Sequence, residues 1–168
     1  MKTTFREIFK HKPCGQIKGS GEGWDLLTSK LGTENLDTDV SILEILESNG
    51  IQDAVWALRT QKYKDYCLFL ADVAESVLHI FEREYPEDDR PRKCVEGVRL
   101  FHAGKITKYE LKQLRTNVHA PVVYYTADPI GTASIACASA AYAARDTDYD
   151  FDRVEKWKEI EVLLRKYI

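Results

Sequence analysis

The charged side chains that could do chemistry cluster around one turn in the middle of the chain, in the segment EDDRPRK. Its arginines could hold an anion or fork onto carboxylates, and its aspartates could accept a metal ion. Acidic side chains on the preceding stretch recur at helical spacing, so they share one face on which two of them could bind a cation. The residues predicted to bind a partner or ligand are Asp72, Glu75, Asp88, Asp89, Arg90, Arg92 and Trp24.

Two predicted helices position this turn. Apolar residues at three- and four-residue intervals predict a long helix that has Asp65 as its N-cap and stops at Pro86. Asp88 or Asp89 can cap the second helix, and Pro91 suits its first turn because that position needs no N–H donor. We expect the arginines of the turn to pair with acids on the first helix and to hold the hairpin in register. The role of the cluster is therefore interpreted as mainly structural.

Local signals predict helices in the rest of the chain as well. The pairs Thr4–Glu7 and Thr107–Glu110 have the spacing of capping boxes. A helix is predicted over 41–48 with Leu43 on its inner face, and Asn49-Gly50 follows as a left-handed stop. The last predicted helix has an apolar side that includes Val154.

The chain has 168 residues, of which 44% are hydrophobic and 30% charged, and these are the proportions of a globular domain. It contains neither repeats of fixed period nor a low-complexity linker. The pattern predicts an all-α fold, a single-domain multi-helix bundle over 1–168 with a long central αα-hairpin. The N-terminal helices occupy 1–62, and the hairpin and the C-terminal helices occupy 63–168.

Charge and cysteine spacing narrow the setting in which the protein works. A net charge of −3 disfavours nucleic acid and anionic membranes as partners. The N-terminal segment has no apolar signal core, and no run of about 18 apolar residues occurs. The four cysteines have no paired spacing, which favours a reduced, cytosolic protein.

Metal sites and catalytic constellations are weakly indicated. Aspartates alternate over 146–152 as in a calcium loop, but Phe151 stands where the turn glycine belongs and Trp157 where the closing glutamate belongs. Acids at this place are instead expected to favour the start of a helix. No serine or cysteine has a nucleophile's setting, so we predict neither an enzyme nor a cofactor or metal.

One stretch resembles a known family. The segment LADVAESVLHIFEREYPEDDRPRKCVEGVRLFHAGKITKYEL is similar to a segment of immunity proteins associated with bacterial polymorphic toxins, and the likeness is specific at the DDRPR turn. The Ala-rich stretch ASAAYAAR resembles the helical tail of those proteins, so the likeness covers roughly 65–145. The N-terminal part, with SILEILESNGIQDAVWALR, resembles uncharacterised bacteriophage proteins.

The resemblance implies a helical binding protein that brings no catalytic residues with it. Such a protein inhibits or neutralises a protein partner by stoichiometric binding, in an immunity or anti-defence role. The alternative is a protein that binds or sequesters a small ligand, either a nucleotide or a metal, at the hairpin turn. The identity of the partner and the presence of a homo-oligomer are left open. If the role of the turn is mainly structural, Arg90→Ala should mainly lower stability.

Overall fold

The structure, a computed structural model, describes residues 1–13, 22–118 and 150–168. Within these ranges the chain forms eight α-helices, one 3-10 turn and two short strands, so the predicted all-α fold is confirmed. The chain divides into two compact units, Met1–Lys62 with Ile168 and Tyr63–Tyr167. The single-domain organisation over 1–168 stays a prediction.

The first unit contains four helices and a small sheet. Strands β1 (Lys2–Thr4) and β2 (Asp39–Ser41) pair antiparallel, with Thr3 opposite Val40. The sequence analysis did not predict this pairing, because three-residue strands are too short to show a period of two. The elements are β1 (Lys2–Thr4), α1 (Phe5–Lys10), α2 (Glu22–Leu31), β2 (Asp39–Ser41), α3 (Ile42–Asn49), α4 (Ile51–Ala57) and the 3-10 turn (Leu58–Thr60).

Caps explain where several of these helices begin and end. The Thr4 hydroxyl accepts from the Glu7 N–H at 3.2 Å, which is the N-cap half of the predicted capping box, whereas the Glu7 carboxylate pairs with Lys10. Helix α3 is followed by Gly50, whose φ of +86° favours glycine, as the predicted stop requires. The prediction for Leu43 is wrong: it is 37% exposed, whereas Ile42, Ile45 and Leu46 are buried.

The second unit is built on the predicted hairpin. In the described residues its helices are α5 (Tyr63–Glu84), α6 (Arg90–His102), α7 (Lys108–Thr116) and α8 (Asp150–Leu164). Helix α5 begins at Tyr63, so Asp65 lies in its first turn and is not the predicted N-cap. An acid in the first turn is still favoured by the helix dipole, which explains why Asp65 resembles a start signal.

Helix α6 packs against α5 through small and apolar side chains. Cys67 of α5 and Cys94 of α6 are buried, and burial raises the pKa of these thiols to about 11 and about 12. Gly97 leaves space for α7, because a Cβ at this position would lie 2.4 Å from the Leu114 Cδ1. The capping box of Thr107 and Glu110 at the start of α7 is confirmed.

Helix α8 packs on α5 through Ile160 and Leu164, which are fully buried. Val154 was predicted to lie on this apolar side, but it is 52% exposed. The predicted Ala-rich helix and most of the aspartate run over 146–152 lie outside the described residues. None of the helices in the described ranges is both long and apolar enough to cross a membrane.

Candidate functional site

The turn between α5 and α6 is held by pairs that are local to it. The Arg90 Nε and Nη2 atoms donate to the two Asp88 carboxylate oxygens at 2.7 and 2.6 Å. Asp88 also accepts from the Arg90 backbone N–H at 3.2 Å. Asp89 occupies the N-cap position without a side-chain cap bond and forms an ion pair with Lys93 at 2.7 Å. The expectation that Arg90 pairs with an acid of the first helix is therefore wrong.

Arg92 makes the contact that crosses the hairpin. Its Nε and Nη2 atoms donate to the two Glu82 carboxylate oxygens, each at 2.7 Å. Two parallel bonds between a planar guanidinium and a carboxylate fix orientation as well as distance. This pair confirms that an arginine of the turn holds the two helices together, and it raises the pKa of Arg92 above its usual range.

A second crossing contact lies farther from the turn. The Arg99 Nη2 donates to Asp72 at 2.9 Å and to Glu75 at 2.7 Å, so one guanidinium joins two of the predicted site residues. The Tyr167 hydroxyl donates to the other Asp72 oxygen at 2.7 Å. The sequence analysis missed Arg99, although it follows Arg92 by seven residues and therefore lies on the same face of α6, two turns later.

The charged side chains of this network differ in how far they are exposed to solvent, and the less exposed ones are expected to interact more strongly. The side chains of Asp88 and Asp72 are 19% and 24% exposed, whereas Asp89 and Lys93 are about 60% exposed. Burial and then the bond to Asp72 raise the pKa of Tyr167 to about 12. The phenol consequently keeps its proton at neutral pH and remains a donor.

We use the name clasp for the crossing contacts of Arg92 with Glu82 and of Arg99 with Asp72 and Glu75. Surface ion pairs each contribute little to stability, about 0–1 kcal/mol. The value of the clasp is mainly geometric, since the fork of Arg92 on Glu82 and the bonds of Arg99 to Asp72 and Glu75 fix how α6 lies on α5. An external ligand at these carboxylates or guanidiniums would have to displace the partners already present.

Trp24, the remaining predicted site residue, belongs to the first unit. It is 9% exposed, and its ring centroid lies 5.3 Å from that of Phe5 and 5.6 Å from that of Phe9. It also lines a small cleft of about 50 Å³ next to Trp56. Trp24 is mainly a core residue of the first unit, whereas the other six predicted residues belong to the second unit.

A serine–lysine contact was not predicted from the sequence. The Lys156 Nζ lies 3.2 Å from the Ser76 Oγ, and the lysine is buried with 8% of its side chain exposed. Serine and lysine form a nucleophile–base pair in some hydrolases. Here the ammonium donates to Glu159 at 2.6 Å, and the serine hydroxyl donates to the Val73 carbonyl at 2.8 Å. These bonds occupy the lysine and the serine hydroxyl, and they anchor α8 to α5.

Metal and small-molecule sites find little support in the described part of the chain. It contains no group of three or more His, Cys, Asp or Glu side chains placed to hold a metal ion. The turn forms an open depression lined by residues 85–90. Sites for small ligands are usually enclosed, so this open surface suits a macromolecule better.

Comparison with known proteins places the hairpin in a family. A family model described as Imm-5 like putative immunity protein matches residues 57–150. The chain belongs to this family. The match covers more than half of the chain and includes α5, the turn, α6 and α7. Comparison with curated proteins and with solved structures finds no match. Membership of an immunity-like family implies a protein partner.

Proposed function

We propose that this protein neutralises a toxin protein by binding it in a stoichiometric complex. The observation that carries the proposal is the family match over 57–150, which spans the whole charged hairpin. The contacts of that hairpin support a binding role, because its charged groups are arranged to hold one fixed surface. The N-terminal likeness to bacteriophage proteins extends the proposal to a phage-encoded inhibitor that acts in the bacterial cytoplasm.

The tip of the hairpin, residues 85–90, is the surface that we propose for the toxin. Tyr85 is 56% exposed, and its ring lies 4.9 Å from that of Phe81. Exposed tyrosines are frequent anchors of protein interfaces. The fork of Arg90 on Asp88 restricts the turn before binding, which lowers the entropy lost when a partner docks.

A small ligand at the turn is the second candidate, and its support is the arginine pair next to the start of α6. Against it, the Arg90 fork is filled by Asp88 and the Arg92 fork by Glu82. Thermal-shift screening with nucleotides and divalent cations tests it, since a ligand that binds only the folded state raises the melting temperature. A clear rise would favour the ligand, and unchanged melting across the panel would eliminate it.

Growth protection tests the proposed function. The chain is co-expressed in bacteria with each toxin-like protein encoded beside its gene, and we expect one of these proteins to lose its toxicity. Tyr85→Ser should weaken protection while leaving the circular dichroism spectrum and melting temperature unchanged. Leu43→Ser is the matched control, because Leu43 is 37% exposed but lies on α3 of the first unit.

The proposal fails if none of these toxins is neutralised by the wild-type chain. It also fails if protection persists when the chain is present at far fewer copies than the toxin. Equal protection by Tyr85→Ser and the wild type would remove the hairpin tip from the interface without removing the function.

A further inference from the structure

Helix α7 presents a basic face that the clasp does not use. Lys105 precedes the helix by three residues, and Lys108, Tyr109 and Lys112 follow at helical spacing. We call these four residues the α7 basic face. The segment 102–117 contains four Lys or Arg residues and one acid, Glu110, in a chain whose net charge is −3.

The α7 basic face points away from the packed side of the helix. Leu111 is fully buried, and Leu114 lies against Gly97 of α6. Tyr109, in contrast, is 70% exposed, the largest value among the exposed hydrophobic side chains of the described residues. The three lysines are exposed as well.

The cations of the α7 basic face differ from those of the hairpin in their partners. Lys93, Arg92 and Arg99 each contact a carboxylate. Within 1–13, 22–118 and 150–168, no carboxylate forms an ion pair with Lys105, Lys108 or Lys112. The one acid of this segment is occupied, because Glu110 accepts from the Thr107 N–H at 2.7 Å and hydroxyl at 2.8 Å.

We propose that the α7 basic face docks an acidic surface of the protein partner, an inference that rests on the proposed function. Lys105, Lys108 and Lys112 would meet carboxylates, and Tyr109 would supply the anchor that becomes buried. Complementary charges speed and orient association more than they add to final affinity. A positive face on a protein of negative net charge limits acidic partners to this side of the second unit.

Nucleic acid fits this face less well than an acidic protein. The exposed cations are lysines, which act as point charges and lack the fork with which arginine binds phosphate. One exposed tyrosine offers a single stacking position, whereas single-stranded nucleic acid is usually held on several.

A labelled polyglutamate of about 20 residues is a suitable probe, because its charged groups are carboxylates. The titration is carried out at low salt, where charge attraction extends over about 10 Å or more. We expect saturable fluorescence anisotropy with the wild-type chain, and NMR shifts concentrated at 105–116. Reversal of the three lysines (K105E, K108E, K112E) should weaken binding by roughly tenfold or more, since three attractive charge pairs become repulsive.

The matched control reverses three exposed lysines elsewhere (K30E, K62E, K166E), so the net charge changes equally. This control should bind polyglutamate better than the α7 variant does. Should the charge-reversed α7 variant lose its helical circular dichroism, the neutral set K105Q, K108Q and K112Q replaces it. Equal loss in the control, or shifts outside α7, would overturn the proposal, as would tighter binding of single-stranded DNA of the same length.

The growth-protection assay separates this inference from the proposed function. If the wild type protects and the α7 variant does not, both statements hold. If both protect equally and associate with the toxin at the same rate, the inference is wrong and the proposed function stands. If the wild type neutralises no toxin, the proposed function fails, and the probe experiment still decides whether the face binds acidic polypeptide.

Discussion

At the scale of single residues, the hairpin charges work mainly through one another. Arg90 closes the turn onto Asp88, whereas Arg92 and Arg99 reach across to α5. The sequence indicated that arginines and acids would pair, but it could not assign the pairs. The side chains of neighbouring residues in a turn point in different directions, which the backbone conformation sets. The order of residue types in the sequence does not reveal those directions.

The first prediction concerns the different roles of two arginines. Arg99→Ala should lower the free energy of unfolding by about 1 kcal/mol or more, because it leaves the partly buried Asp72 and also Glu75 without their guanidinium. Arg90→Ala should have a smaller effect, since only a contact within the turn is lost. Urea unfolding of the two variants measures the difference. An equal or larger loss for Arg90→Ala would show that the turn pair matters more than the clasp.

The second prediction concerns acid pH. Bonds from the backbone and hydroxyl of Ser41 and Thr107 lower the pKa of Glu44 and Glu110 below the usual 4.5. These carboxylates therefore stabilise the fold above that value, and the contribution disappears as the pH falls through their folded-state pKa values. The double variant Glu44→Gln, Glu110→Gln should therefore lose less stability than the wild type when the pH is lowered from above 4.5 to below the folded-state pKa values of the two carboxyls.

Urea unfolding at several pH values measures this difference. Gln keeps a side-chain oxygen that can accept the capping bonds, so the comparison isolates the charge. Parallel curves for the variant and the wild type would contradict the prediction.

At the scale of elements, helix ends were easier to predict than strand pairing. The cap at Thr107 and the stop at Gly50 depend on a few adjacent residues, and the structure confirms both. The pairing of β1 with β2 joins residues about 37 positions apart, where Thr3 meets Val40, and nothing local marks it. The start of α5 at Tyr63 was missed because Asp65 is acceptable both as a cap and in a first turn.

The third prediction concerns the packing of α6 on α7. Gly97→Ala places a methyl group against Leu114, so its gain in helix propensity is opposed by crowding. In a Leu114→Ala background the crowding is relieved, and Gly97→Ala should then stabilise by about 0.5–1 kcal/mol. A double-mutant cycle by urea unfolding should give a coupling free energy of at least about 0.5 kcal/mol. Additive effects would mean that Leu114 does not constrain position 97.

At the scale of the whole molecule, the family was easier to recognise than the interface. The DDRPR turn identified the immunity-like family because it combines a proline, two acids and two arginines in a fixed order, and the family match confirms it. Those same residues pair with one another and with α5, so the motif alone did not indicate which surface binds a partner. The α7 basic face was missed because lysines spread over a helix resemble an ordinary solvated face until partners and exposure are known.

The central claim is that the protein acts by binding its toxin, and calorimetric titration of the purified toxin with the purified chain tests it most directly. We predict saturation at one chain per toxin, with toxin activity falling in proportion to the fraction of toxin bound. If a small fraction of an equivalent abolishes the activity, or if no heat of binding is detected at either of two well-separated temperatures while the toxin is still neutralised, the protein is not a stoichiometric inhibitor.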